Sequence, residues 1–279
     1  MITSTPPTRQ EFVDHHVASA RPLVVRQGLK TWNSAPPWNF ETLVSQVGAQ
    51  RVPLYGSLFD FIGLSTFRNY HDRFLTSATP AEPPAYLRWY TRQSEARLPW
   101  ADDAFDALAG SWHAPEWLPT DGYIFPAYGG QADVVRQSFP AKGIFVCGRG
   151  GMTRWHVDPW RSDAYLCQVI GHKRIVLYRP GTAAPRDPEA LGSVIDTPHA
   201  VPPGWPAEPL VDVILAPGDC IYIPQNQPHA AVALSPSLSI TWNFVHRAND
   251  TGYRELVASA ADDATLRYFS APVARMDVA

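Results

Sequence analysis

No apolar run in this sequence approaches the roughly 20 residues that a bilayer-spanning helix needs, which excludes a helical membrane span. The N-terminus, MITSTPPTRQEF, has no signal-peptide apolar segment. These two absences lead us to expect a soluble, cytoplasmic protein with no membrane partner. Cysteine is scarce. Cys147, Cys167 and Cys220 are scattered through apolar runs, without the C-x-x-C spacing of a zinc site, and an odd count does not suggest a disulfide framework. They read as small buried hydrophobes in a reducing compartment. A large excess of either charge is missing too. The net charge is −3 and the pI about 6.3, so no electrostatic footprint for nucleic acid is present and none is expected as a partner. Internal repeats and low-complexity linkers are absent. The glycine-rich GRGG at 148–151 lacks the lysine and hydroxyl residue of a phosphate loop; its glycines suit a tight turn.

What remains is an ordinary globular composition, 45% hydrophobic and 18% charged over 279 residues, long enough to bury a substantial core. Within it, the stretch TRWHVDPWRSDAYLCQVIGHK, 153–173, carries His156 and Asp158 one residue apart. In an extended strand, side chains i and i+2 face the same way. An imidazole nitrogen and a carboxylate oxygen can therefore reach one metal ion. Two donors do not complete a site, and the best third is His229 in GDCIYIPQNQPHAAV. Ile221, Tyr222 and Ile223 form an apolar run bounded by turn residues, the pattern of a buried strand. This sets His229 at the start of the next strand, facing into a barrel. Two histidines and one carboxylate occupy one face of an octahedral iron(II) and leave three positions open.

Along the chain, residues 1–9 read as a disordered lead-in and Glu11 to Ala20 as a short helix. LVVRQG reads as a strand, with Trp32 after it in the core. NFETLVSQVG, 39–48, opens on a capping residue and ends in glycine, so a helix is expected; RVPLYG is a strand. In 57–75, Phe67, Tyr70 and Phe74 have helical spacing. AYLRWY, 85–90, is a strand, and 91–122 holds two short helical pieces. GIFVCGRGG, HKRIVLYRP, VDVILAPGD and the two halves of AAVALSPSLSITWNFV are strands, the last pair joined through Ser235-Pro236-Ser237. Residues 181–209, rich in proline, form a long loop or lid. From Tyr253 to Phe269 the pattern is helical again, with Leu256, Val257, Ala260, Ala264 and Phe269 on one face.

Taken together, Thr153 three residues before His156, the H-x-D itself, Gly171-His172-Lys173, His229, and Thr241 twelve residues further on resemble one family. It is the cupin-like branch of the Jumonji-C oxygenases, which depend on iron(II) and 2-oxoglutarate. HVDP followed by GHKR is similar to the branch containing the Jumonji lysyl hydroxylase. The resemblance runs from about Phe12 to Val245. It implies a mainly β fold with flanking helices, a double-stranded β-helix (cupin or jelly-roll) barrel. The domain would occupy 1–250 with an N-terminal elaboration, followed by a C-terminal helical segment at 251–279. It implies Fe(II), 2-oxoglutarate and O2, with His156, Asp158 and His229 as catalytic metal ligands. The far carboxylate of 2-oxoglutarate needs a cation in a dry pocket, and Lys173 is the natural partner, one of three lysines in the chain with Lys30 and Lys142. Thr153 and Thr241 would add hydroxyl hydrogen bonds, and Arg154 is the next candidate cation. Tyr86 matches a family tyrosine that touches the same carboxylate, or else is a buried structural residue.

One feature departs from the family pattern. Many members carry an asparagine about ten residues after the first histidine; here Leu166 stands there, with Gln168 two residues on. The implied activity is hydroxylation of a C–H bond in a protein, a peptide or a small molecule, releasing succinate and CO2. A metal-binding cupin with non-oxidative chemistry and a catalytically dead binding module are the alternatives. Specificity is expected in 57–84, in 181–209 and at the barrel mouth. The C-terminal helix covers either the chain's own barrel or the same helix of a second copy; a homodimer through that helix is the expectation.

Overall fold

The computed structural model describes residues 1–30, 38–58, 60–76, 83–90, 108, 114–125, 142–197 and 199–259. Among these residues six strands precede the barrel: β1 (Ile2–Thr3), β2 (Leu23–Val25), β3 (Arg51–Tyr55), β4 (Phe61–Thr66), β5 (Tyr86–Tyr90) and β6 (Tyr123–Phe125). The barrel strands are β7 (Lys142–Cys147), β8 (Met152–His156), β9 (Asp163–Ile170), β10 (Lys173–Leu177), β11 (Val211–Leu215), β12 (Cys220–Ile223), β13 (His229–Ala233) and β14 (Ser237–His246). The helices are α1 (Arg9–Phe12), running on into a π-helical turn at Val13–Val17, α2 (Phe40–Val47), α3 (Phe67–Phe74) and α4 (Thr251–Ser259).

From β7 onward the chain passes back and forth between two sheets. One has the order β12-β9-β14-β7, extended by β1 and β2 at one edge and by β5, β3 and β4 at the other, with β6 pairing β14. The second has the order β11-β10-β13-β8. Every neighbouring pair within the eight barrel strands is antiparallel. This is the double-stranded β-helix expected from the sequence.

Strand alternation divides the core into layers. Tyr165, Cys167, Tyr222, Ile240, Trp242 and Phe244 point outward from the larger sheet and pack with Phe12, Val17, Leu43 and Phe67 of the N-terminal helices. Their alternates Ala164, Leu166, Ile221 and Ile223 meet Ile175, Leu177, Val213 and Leu215 inside the barrel. The three cysteines are buried and free, as their apolar settings suggested.

The helices follow their caps. Asn39 accepts from the Thr42 amide at 2.7 Å to open α2, and Thr8 with Glu11 forms a capping box at α1. On α3, Phe67, Tyr70 and Phe74 are all buried, as their spacing implied.

Three expectations change. Residues 1–9 are not a loose lead-in: Ile2 and Thr3 pair in parallel with Val24 and Val25, and Thr8 caps α1. A strand, β4, precedes α3; it lies at the end of the larger sheet with Phe61, Ile62 and Leu64 exposed, so it lacks the half-buried alternation that marks a strand in sequence. The 181–209 segment is no lid over the barrel opening. Leu191 and Trp205 pack on Trp155, Tyr178 and Val232 of the smaller sheet's outer face, and the Pro188 carbonyl accepts from the Trp155 amide of β8 at 3.0 Å. Trp32, most of the 91–122 segment and the part of the C-terminal helix beyond Ser259 lie outside the described residues.

Candidate metal centre and ligand cavity

His156 closes β8, and its Cα partner on the neighbouring antiparallel strand is His229, the first residue of β13. Directly opposed residues share a face with close Cβ atoms, so sheet pairing brings together two imidazoles that lie far apart in sequence, with ring centroids 4.1 Å apart. Asp158 comes just after the strand ends, still extended, as it enters the turn Pro159–Arg161. The i, i+2 argument therefore holds although the strand itself stops at His156. Asp158 Oδ1 lies 3.6 Å from His156 Nε2, and Oδ2 lies 3.9 Å from His229 Nε2. Donor atoms of the three residues all fall within 4.8 Å of one another.

The ring orientations are set from behind. His156 Nδ1 lies 2.8 Å from the Arg154 carbonyl, and His229 Nδ1 lies 2.9 Å from the Gln227 carbonyl. A carbonyl only accepts, so each Nδ1 carries the proton and each Nε2 offers its lone pair to the centre of the cluster. Burial, followed by the neighbouring His156, pushes His229 down to about 4, so it stays neutral and ready to ligate at neutral pH. Burial would raise the Asp158 carboxyl; His229, His156 and the Asn243 amide more than offset this and hold it below its ordinary range. Asp163 ties the assembly together: its Oδ1 accepts from the Gln225 amide at 2.8 Å and from the Tyr222 hydroxyl at 3.1 Å, joining the start of β9 to the turn before His229.

One cavity holds seven of the residues singled out in the sequence. His156, Asp158, His229, Thr153, Lys173, Thr241 and Tyr86 line it, with Asn243 and an apolar wall including Phe145, Ala164, Leu166, Ile175 and Ile223. Lys173 is 1% exposed. Its ammonium donates to the Tyr86 hydroxyl at 2.9 Å and to the Ser239 hydroxyl at 2.5 Å. Among the described residues it has no carboxylate partner, and burial lowers it to about 8. Thr153 accepts from Arg88 at 3.2 Å. Arg154 is not among the lining residues; its backbone amide donates to the Ser57 carbonyl at 2.8 Å. Among the described residues, neither 57–84 nor 181–209 supplies a lining residue; the two segments meet each other through Ser57 and Glu189 on the flank of β8.

Sequence reasoning missed four neighbours. Arg88, fully buried, stacks its guanidinium on the Tyr86 ring at 4.1 Å. Ser239 and Asn243 stand two residues either side of Thr241 on β14, and strand alternation from Thr241 points to both. Gln168, noted in the sequence only as standing two residues beyond Leu166, is fully buried and accepts from Ser239 at 2.8 Å. The amide beside Asp158 comes instead from Asn243, which also donates to Ser162 Oγ at 3.2 Å. Leu166 is its neighbour in the cavity wall, across from Thr241.

Fold and site define a cupin-type barrel with a two-histidine, one-carboxylate cluster beside a buried lysine. Residues 131–251 match the JmjC domain family. Lysine-specific demethylase JMJ21 of Arabidopsis thaliana is 34% identical over 122 residues, 39% of this chain and 13% of that protein. The 2-oxoglutarate and iron-dependent oxygenase JMJD4 of Gallus gallus is 25% identical over 154 residues, 50% of this chain and 36% of that protein. The chain thus spans well under half the length of these curated relatives. The X-ray structure of Escherichia coli ycfD superposes with a TM-score of 0.48 at 18% identity, covering 93% of this chain and 57% of that one.

Proposed function

We propose that this chain is an iron(II)- and 2-oxoglutarate-dependent oxygenase that hydroxylates a C–H bond of a protein, peptide or small-molecule substrate and releases succinate and CO2. The observation that carries the proposal is Lys173. A buried ammonium whose partners are neutral hydroxyls sits in an unfavourable setting unless an anion joins it, and it faces the same cavity as His156, Asp158 and His229. A dicarboxylate that reaches a metal with one end and Lys173 with the other satisfies both. Non-oxidative metal chemistry gives no reason for that cation.

The donors suit iron(II): two imidazole Nε2 lone pairs and one carboxylate, gathered on one side. When bound, iron and 2-oxoglutarate supply the activation of O2 that puts oxygen into a substrate C–H bond. The chain's own part is binding and orientation. His156, Asp158 and His229 would hold the metal, with Asn243 steadying Asp158. Lys173 and Tyr86 would receive the far carboxylate, and the Thr153 and Thr241 hydroxyls line the same space. Phe145, Ala164, Leu166, Ile175 and Ile223 give the cavity an apolar wall, and a bound substrate that displaces its water would strengthen each charge interaction inside it. The relatives' names include both a demethylase and an oxygenase; hydroxylation of an N-methyl group, with release of formaldehyde, is the same step on a different substrate.

The test is iron-dependent conversion of 2-oxoglutarate to succinate, followed by untargeted mass spectrometry of a lysate incubated with protein, iron and 2-oxoglutarate. We expect succinate and a family of products heavier by one oxygen. A protein that binds iron but neither binds nor consumes 2-oxoglutarate overturns the reading in favour of non-oxidative chemistry.

A further inference from the structure

Behind Lys173 lies a chain of hydrogen bonds whose direction is forced by chemistry. Gln168 is fully buried on the barrel-facing side of β9, two and four residues beyond Leu166 and Ala164. Its Nε2 lies 2.7 Å from the Ile170 carbonyl, 3.1 Å from the Gly171 carbonyl and 2.9 Å from Ser237 Oγ. Only an amide nitrogen can face two carbonyls, so Oε1 must be the atom turned to Ser239. Ser239 Oγ lies 2.8 Å from Oε1 and is also the acceptor for Lys173 Nζ. An amide oxygen only accepts and an ammonium only donates. The Ser239 hydroxyl is therefore locked, giving its proton to Gln168 and its lone pairs to Lys173.

We infer that Gln168 is a positioning residue for Lys173, acting through Ser239. An ammonium has three N–H donors. Ser239 and Tyr86 take two, which leaves the third for a ligand in the cavity that Lys173 lines. The backbone carbonyls of the β9–β10 turn anchor the Gln168 amide, the amide fixes the serine rotor, and the serine fixes the lysine. A long side chain with about 2 kcal/mol of rotamer entropy is thereby held at one depth. A carboxylate at the inner end of the cavity then meets a single preset donor, and the distance between that donor and the metal ligands selects the length of the 2-oxo diacid. This inference rests on the proposal that the cavity takes 2-oxoglutarate.

The test measures binding of 2-oxoglutarate by calorimetry to the full chain loaded with zinc(II), which occupies the site without turning over, alongside KM and kcat with iron. Ser239→Ala and Gln168→Met should each weaken 2-oxoglutarate about tenfold, the loss of one hydrogen bond to a charged group, while zinc affinity stays at its native value and the effect falls on KM rather than kcat. The double variant should bind no more weakly than Ser239→Ala alone, because Gln168 reaches the lysine only through the serine. Ser239→Thr, which keeps the hydroxyl, should restore affinity. Ser239→Ala should also narrow the preference for the five-carbon diacid over its four-carbon analogue, a readout that stands even if Gln168→Met fails to fold. Single variants within about twofold of native, or a double variant weaker by the product of both, overturn the inference and leave the oxygenase reading intact. A native protein that binds zinc but not 2-oxoglutarate overturns both.

Discussion

Lys173 is the side chain at which stability and function pull apart. Burial lowers it from 10.5 to about 8, a difference of roughly 3 kcal/mol that works against folding. The sign follows from proton binding. Between about 8 and 10.5 the unfolded chain holds a proton that the folded chain has released, so stability rises with pH across that window, and the full penalty is present below about 8. Lys173→Met should therefore raise the Tm of the ligand-free protein at pH 7, and its advantage over the native chain should shrink as pH rises from about 8 to 10.5. The same variant removes the cation opposite a buried carboxylate, a loss of about 3–5 kcal/mol, so 2-oxoglutarate affinity by calorimetry should fall several hundred-fold or more. His156 behaves differently. Its side chain is part-exposed, so His156→Ala should abolish iron binding and turnover while the Tm of the metal-free protein changes little.

The turn between β9 and β10 is the element on which the lysine's placement depends. Gly171 has φ +71, and a Cβ there would stand 2.0 Å from the Pro236 carbonyl oxygen. Strain of this kind costs of order 1–3 kcal/mol, and the backbone contact cannot swing aside as a side chain would. Gly171→Ala should lower the Tm and weaken 2-oxoglutarate binding together, since the Gly171 carbonyl also holds the Gln168 amide. A Tm loss with native affinity would show that the turn serves the fold alone. The loop after Asp158 has the opposite character. Trp160 and Arg161 both have positive φ without being glycine, and they are held there by the Arg161 bond to Asn226 at 2.6 Å and by Trp160 against the Phe125 ring. The turn after Asp158 and the turn before His229 are thus joined by a direct hydrogen bond.

For the chain as a whole, the two sheets meet at the cavity and the N-terminal helices cover only the larger one, while the 181–209 segment covers the other. Among the described residues no helix is long and apolar enough to cross a membrane. Helix α4 begins on its own barrel: Tyr253 is fully buried with Ile124, Phe125 and Val245, and Leu256 and Val257 pack against that cluster. Pairing of the C-terminal segment with a second copy remains our proposal, and it now divides into two measurements. Deleting 260–279 should give a monomer by light scattering with little change in Tm. Deleting 251–279 should also lower the Tm by several degrees, because it uncovers Phe125 and Trp160. An intact chain that is monomeric at high micromolar concentration overturns the pairing.

Local pattern carried a large share of this structure. Apolar runs, alternation and turn residues marked β7 and β10 through β14, and the H-x-D reading presupposed an extended β8, because side chains two apart share a face whatever lies beyond the strand; β9 was not marked by itself. His156, Asp158 and His229 were legible for the same reason, helped by the small set of side chains able to bind a metal. The amphipathic spacing of Phe67, Tyr70 and Phe74 was equally local. Other features had no local mark. β4 pairs at a sheet edge with both faces largely open, so neither alternation nor a hydrophobic run announced it. Arg88 reaches Thr153 from 65 residues away, and Lys173 takes its partners from Tyr86 and Ser239, 87 and 66 residues away. Such polar groups look alike in sequence whether they face water or a buried ammonium. Pairing and register between strands remote along the chain, set by burial of the two sheets' inner faces, decide which of them meet.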